Sequence, residues 1–262
     1  MSPPTRSPLK DKPLRLPGQS LEEERRRLIE SHFESPALVA VMFGCMAGLE
    51  WVRAYWPQPP TPWLYTAVAA AACTLAGWRL WRLRPRLQQL RQGIDGERAV
   101  GQFLERLREQ GYQVFHDVPG TGFNIDHVCI GPGGAFTIET KTWSKLVKGD
   151  ARVLHDGERL TIAGITPERD PLQQARAQAH WLTRLIEDSA GRRIPTQPVV
   201  VFPGWFVEAA PGAQRAVWVM EPKGLPAFLA NEPNRLTPED VKLCAFHLSR
   251  YVRSTQAAES PS

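Results

Sequence analysis

The sequence predicts a mixed α/β domain, a central sheet with helices on its faces, preceded by a pair of apolar helices. Three observations carry that reading. Across residues 94–253 the periodic patterns follow the order helix, strand, hairpin, edge hairpin, helix, strand, strand, helix, an order that layers helices against a mixed sheet. Residues 124–141, NIDHVCIGPGGAFTIETK, hold two runs rich in Ile, Val, Phe and Thr around Gly131-Pro132-Gly133-Gly134, whose glycines can take the positive φ angles of a tight reversal. Upstream, residues 36–56 and 62–81 are the two most apolar stretches. A chain of 262 residues has room for one domain of about 150–180 residues plus these appendages.

Taken in order, residues 1–20 contain five prolines and few large apolar groups, and read as a disordered tail. The first 35 residues lack an apolar core of signal-peptide length. Residues 21–33 are a short charged helix in which Glu22 pairs with Arg26, and Glu23 with Arg27, across one turn. Residues 1–35 together form the N-terminal tail and charged helix. In residues 36–56 the charges Glu50 and Arg53 lie near the far end, and residues 62–81 carry Trp63 and Trp81 near their ends with Arg79 near the exit. Each stretch is long enough to cross a hydrocarbon layer of about 30 Å, with aromatic residues where an interfacial belt would place them. A buried helical hairpin in a soluble core is the other reading. The loop of residues 56–61 is uncharged, whereas Arg79, Arg82, Arg84, Arg86 and Arg91 follow with no acid among them. That asymmetry predicts two transmembrane helices in the cell (inner) membrane, within residues 36–83, with both termini in the cytoplasm.

The net charge of +5 invites a nucleic-acid reading, but residues 87–262 hold 20 Lys and Arg against 20 Asp and Glu. The surplus belongs to the N-terminal 86 residues and says little about a partner of the domain. Cys45, Cys73, Cys129 and Cys244 lack CxxC or Cys/His spacing, so neither a zinc site nor a disulfide framework is indicated. No phosphate-binding glycine loop and no Ser/His/Asp ordering for acyl transfer occurs.

Residues 84–93 read as a linker into the domain. Residues 95–110 place Val100, Phe103, Leu104 and Leu107 at helical spacing, closed by Gly111. A strand over residues 112–118 precedes the hairpin. A second hairpin spans residues 147–162, turning at Asp156-Gly157, and Asp170-Pro171 starts a helix with Ala177, Trp181 and Leu185 along its stripe. Residues 198–202 and 216–220 are short buried strands. A last helix begins at Thr237-Pro238, with Val241, Cys244, Ala245, Leu248 and Tyr251 inward, and residues 254–262 are a disordered tail.

With Gly131 to Gly134 as the loop, Ile130 faces Ala135, Val128 faces Thr137, Asp126 faces Glu139 and Asn124 faces Lys141. Asp126, Glu139 and Lys141 then share one face, opposite Phe136, Ile138 and Thr140. Facing carboxylates repel, and either solvent and the lysine offset this on a polar sheet face, or a hard divalent cation does. Glu97, three residues before Val100, lies on or beside the buried stripe; it complements the helix dipole or reaches the acidic face. His127 alternates away from Asp126 and reads as a core histidine; His116 has no placement.

Gly96-Glu97 opening a helix, Asn124-Ile125-Asp126-His127-Val128, Gly131-Pro132 with Gly134-Ala135-Phe136, and Ile138-Glu139-Thr140-Lys141 together resemble the nuclease-related domain, NERD, over residues 94–201. More broadly they resemble the PD-(D/E)xK nuclease core, although Ile125 stands where that motif has proline. The resemblance implies a restriction-endonuclease-like fold and a metal-dependent nuclease acting on DNA in preference to RNA. It implies Mg²⁺ or Mn²⁺ held by Asp126 and Glu139 with Glu97 completing the shell, Lys141 stabilising charge and positioning water, and Gln174 of Pro171-Leu172-Gln173-Gln174 supporting the geometry. The expected partners are nucleic acid, the bilayer and a second copy of the chain. The alternative is a membrane-tethered binding or scaffolding module without turnover.

Overall fold

A computed structural model describes residues 14–33, 36–56, 62–144 and 152–258. In chain order the elements are α1 (Gln19–Phe33), α2 (Pro36–Tyr55), α3 (Pro62–Glu105), a 3₁₀ turn (Arg106–Gln110), β1 (Gln113–Pro119), β2 (Asn124–Gly131), β3 (Gly134–Thr140), β4 (Arg152–His155) and β5 (Leu160–Ile162). There follow α4 (Pro171–Ala190), β6 (Thr196–Val201), β7 (Phe206–Ala209), β8 (Trp218–Met220), α5 (Leu225–Asn231) and α6 (Pro238–Ala258), with short 3₁₀ turns beside β8. The chain divides into two compact units, Met1–Gln19 with Gly93–Ser262, and Ser20–Gln92.

In the smaller unit both apolar stretches are helical, but among the described residues no helix is long and apolar enough to cross a membrane. The expected transmembrane pair is therefore not supported. Glu50 and Arg53 fall inside α2. The second stretch does not stop at residue 81: it runs on as α3 through Pro85 and the arginines of the expected linker. Arg86 pairs with Glu24 of α1 at 2.8 Å, and the Arg82 guanidinium sits 4.1 Å from the Trp78 ring centre.

In the larger unit the main sheet has the order β1-β2-β3-β6-β8. Its first three strands are antiparallel and β3, β6 and β8 run parallel, giving the mixed sheet expected. Val100, Leu104 and Leu107 of α3 and its 3₁₀ extension pack with Phe136, Ile138, Val199 and Val201 on one face. On the other face Leu182 and Ile186 of α4 and Val241, Cys244, Leu248 and Val252 of α6 cover Val128 and Ile130. Each such large side chain contributes about 1.5–3 kcal/mol on burial.

The hairpin turns where expected, with Gly131 paired to Gly134, Ile130 to Ala135 and Val128 to Thr137. Gly131 is required by contact, since a Cβ there would lie 2.2 Å from Tyr112 Cδ1. The ladder then ends at His127 with Ile138, so the expected Asp126–Glu139 and Asn124–Lys141 pairs do not form. The physical reason is competition between neighbours. β2 stays with β1, where Val118 pairs Ile125, while β3 stays with β6, where Glu139 pairs Val200 and the Lys141 N–H bonds Val201 O at 2.9 Å.

Further departures follow from tertiary contacts. β4 and β5 form the expected hairpin, but β7, not anticipated as a strand, joins them in a separate sheet of order β5-β4-β7. α4 is capped by Asp170 as expected, with the carboxylate accepting from Leu172 N–H at 2.9 Å. Its buried face comprises Leu172, Ala175, Gln178, Ala179, Leu182 and Ile186, however, and Ala177 is exposed. α6 continues to Ala258, so residues 254–258 of the expected tail are helical, with Thr255 Oγ1 donating to Tyr251 O at 3.1 Å. Residues 14–18, expected within a disordered tail, are docked on the larger unit through Leu14 against the α4/α6 core and Arg15 against Asp117. The remaining expectations for residues 1–13, 57–61, 147–151 and 259–262 lie outside the described residues.

Candidate active site

The parting of β2 from β3 creates the site. Where the ladder stops, Asp126 Oδ2 accepts the Thr140 N–H at 2.7 Å, so a side chain takes over the backbone amide that a continued β2 would have engaged. Asp126 thereby lies beside Glu139 and Lys141, although not paired across the sheet.

Glu139, 4% exposed, is gripped from three sides. Its Oε1 accepts from Lys141 Nζ at 2.7 Å and from Gln174 Nε2 at 2.7 Å, and Gln174 Oε1 accepts from Lys141 Nζ at 2.9 Å, closing a three-membered ring of hydrogen bonds. Its Oε2 accepts from Gln178 Nε2 at 2.6 Å, and Gln178 also donates to Asn124 O at 3.2 Å. Gln174 and Gln178 are four residues apart on α4, so one helix face presents both amides to one carboxylate. Charge-assisted bonds of this kind fix the Glu139 rotamer.

Glu97 enters from the last turns of α3. It is 7% exposed, and Gly96 before it allows the close approach, since a Cβ there would fall 2.0 Å from Thr142 Cγ2. Burial first, then the charges of Asp117 and Glu139, raise its pKa to about 7, opposed by the Gly18 N–H that bonds it and by Lys141. The Asp126 carboxyl is likewise held well above the ordinary range by burial, then by Glu139 and Glu97, against the Thr140 N–H and Lys141. Three acids thus feel one another in a largely buried cluster with one lysine.

The docked N-terminal segment shapes the Glu97 side. Arg15 Nη1 meets Asp117 Oδ2 at 3.0 Å with both side chains nearly buried, and Asn124 Nδ2 donates to Asp117 Oδ1 at 3.1 Å. Asp117 sits at φ 49, between the pairs His116–His127 and Val118–Ile125. The histidines occupy the opposite face: His116 Nδ1 lies 2.9 Å from His127 Nδ1, and His116 Nε2 lies 2.9 Å from Glu105 Oε1. Burial lowers the pKa of His116 and pushes that of His127 well below the ordinary value. His127 is the core residue its alternation predicts, and the pair stands apart from the acids.

Of the expected residues, Glu139, Lys141 and Gln174 are joined by direct hydrogen bonds, and Asp126 and Glu97 are coupled to Glu139 through charge. Gln178 and Arg15 escaped the sequence reading, and Asn124, read there as the partner of Lys141, instead meets Asp117 and Gln178. Gln178 had a signal, since it repeats Gln174 one turn later inside an otherwise apolar buried stripe.

The donor set suits a hard cation, because carboxylates that repel one another in a buried pocket are stabilised by a shared positive charge. Among the described residues no group of three or more His, Cys, Asp or Glu is arranged to hold a metal ion. Mg²⁺ commonly rests on one or two carboxylates completed by water and phosphate oxygens, and Asp126 and Glu139 are carboxylates of that kind.

Residues 92–203 match the family described as the nuclease-related domain, NERD. No curated protein shows a significant match to the chain. A solved structure, SfsA of Pyrococcus furiosus in complex with Ca²⁺, is similar over 49% of this chain and 54% of its own, with 14% identity and a TM-score of 0.25. The chain thus spans about half the length of that structure.

Proposed function

We propose that the chain is a divalent-metal-dependent nuclease that hydrolyses phosphodiester bonds, DNA in preference to RNA. The observation that supports this best is the ring of Lys141, Glu139 and Gln174 beside Asp126, inside the segment that matches the nuclease-related domain. Asp126 and Glu139 would hold Mg²⁺ or Mn²⁺, with Glu97 completing or orienting that shell. When bound, the cation supplies a lowered pKa for a water and neutralisation of phosphate charge.

The chain's own groups do the rest. Gln174 and Gln178 lock the Glu139 carboxylate, and the Thr140 N–H orients Asp126. Lys141 brings a compact ammonium to the anionic side of the pocket, where it would stabilise charge on a phosphate or orient the attacking water. Gln174 Oε1 holds that ammonium in place.

A second reading, nucleic-acid binding or scaffolding without turnover, is favoured by one observation: residues 87–262 carry no net charge, whereas proteins gripping several phosphates display a basic stripe. The test is cleavage by the full chain of linear, circular and single-stranded DNA and of RNA, in Mg²⁺, Mn²⁺ or EDTA, beside Asp126→Ala and Lys141→Ala. Metal-dependent cutting lost in both variants, with circular dichroism unchanged, supports the nuclease. Binding by a wild type that cuts nothing sinks it in favour of the silent module.

A further inference from the structure

The chain leaving the site carries an aromatic residue that the catalytic reading does not use. Trp143 follows Lys141 by two residues and is 37% exposed. Its backbone is anchored: the buried Trp205 donates its indole N–H to Trp143 O at 3.2 Å, and Lys141 N–H is still paired with Val201 O. Thr140 and Thr142 both approach Gly96, on the α3 side, while Lys141 reaches Gln174 on the α4 side. Trp143 thus lies two residues beyond Lys141, an exposed ring on the segment that leads away from the site.

Charge sharpens the meaning of that ring. With 20 basic and 20 acidic residues from position 87 onward, the domain has little non-specific electrostatic grip on a polyanion. A substrate held weakly through its phosphates needs another handle. Stacking on an aromatic ring is one that every base accepts, but only once the base is free of its own helix.

We propose that Trp143 is a stacking platform for an unstacked base next to the scissile phosphate, and that the site consequently takes single-stranded nucleic acid over intact duplex. This rests on the nuclease reading above. The Trp205 indole N–H tethers the Trp143 backbone beside the site, and the ring sets substrate class without touching the reacting atoms.

The test uses the full chain and fluorescein-labelled oligonucleotides of mixed sequence: single-stranded DNA, single-stranded RNA and a blunt DNA duplex. Affinity is read by anisotropy in EDTA and cleavage in Mg²⁺ and Mn²⁺. Trp143→Ala retains the carbonyl that Trp205 engages, and should weaken single-strand affinity about tenfold, raising KM more than it lowers kcat. Trp143→Phe should recover most of the loss, and the duplex should bind weakly to all forms. Phe246→Ala removes a 58% exposed aromatic on α6 and should change nothing. Single-strand binding equal in wild type and Trp143→Ala, or duplex bound as tightly as single strand, overturns the stacking proposal; the nuclease survives if Asp126→Ala still abolishes cutting. A wild type that neither binds nor cuts any of the three overturns both.

Discussion

Replacing Glu97 with glutamine should remove a pH dependence from the stability of the cation-free protein. Burial, then the charges of Asp117 and Glu139, lift the Glu97 carboxyl from 4.5 to about 7. Unfolding returns it to the ordinary value, so between those two pH values the folded chain holds a proton that the unfolded chain does not. Stability from this group is fully present below about pH 4.5 and is lost as the pH rises through about 7. At about 1.4 kcal/mol per tenfold change in proton affinity, the loss comes to about 3 kcal/mol. Asp126, also raised, acts with the same sign. His116 and His127, whose pKa values are lowered, act with the opposite sign, favouring the fold as pH rises. The quantity to measure is therefore a difference: urea unfolding of wild type and Glu97→Gln, full chain, in EDTA at pH 5 and pH 8. Glutamine keeps the size and an acceptor for the Gly18 N–H, so the variant should gain about 2–3 kcal/mol relative to wild type at pH 8 over its relative stability at pH 5. A difference that is the same at both pH values would refute the raised Glu97 carboxyl.

Three further outcomes are expected. Gln178→Leu strips one donor from Glu139 Oε2 and one from Asn124 O; it should cost about 1–3 kcal/mol in urea unfolding and at least about tenfold in cleavage rate, and unchanged kinetics would show that Glu139 is held without it. Arg15→Ala leaves Asp117 buried without its cation, which should lower stability by about 3 kcal/mol, or about 6–12 °C in Tm, with partial recovery in Arg15→Lys; a Tm within a degree of wild type would mean that the N-terminal segment is not docked in solution. Gly96→Ala drives a methyl into Thr142 Cγ2 and should cost about 1–3 kcal/mol, whereas adding Thr142→Ser, which deletes that methyl, should restore most of it; additive effects in the double variant would place the clash elsewhere.

The hairpin shows how far periodicity reaches. Val128 with Thr137 and Ile130 with Ala135 pair as counting back from the glycine loop requires, because a short turn sets the register locally. Counting fails two residues later. Whether β2 keeps β3 as a neighbour depends on β1 and β6, which compete for their edges from outside the hairpin. The helix α4 failed in another way. The inferred stripe ran through Ala177, Trp181 and Leu185, whereas the buried face holds Gln178 with Ala175, Ala179 and Leu182. In the fold Gln178 is buried because Glu139, 39 residues away, accepts its amide. A buried polar side chain is tolerated when its partner is present, and the partner is invisible from within the helix. The two apolar stretches form helices as their composition demands, but among the described residues no helix is long and apolar enough to cross a membrane.

By itself the sequence determined what local chemistry controls: the caps and turns at Gly111, Asp170 and the glycine loop, the alternation that sets Asp126 and Lys141 apart from Phe136 and Ile138, and the carboxylates and lysine within the stretch that matches the nuclease-related domain. Only tertiary structure decided how they meet. It split β2 from β3 to aim Asp126 at Thr140 N–H, turned two amides of α4 onto Glu139, and brought Arg15 across 102 positions to Asp117. Those choices pay off only when distant segments are already packed, because a hydrogen bond or ion pair stabilises a buried group only if both partners lose water together.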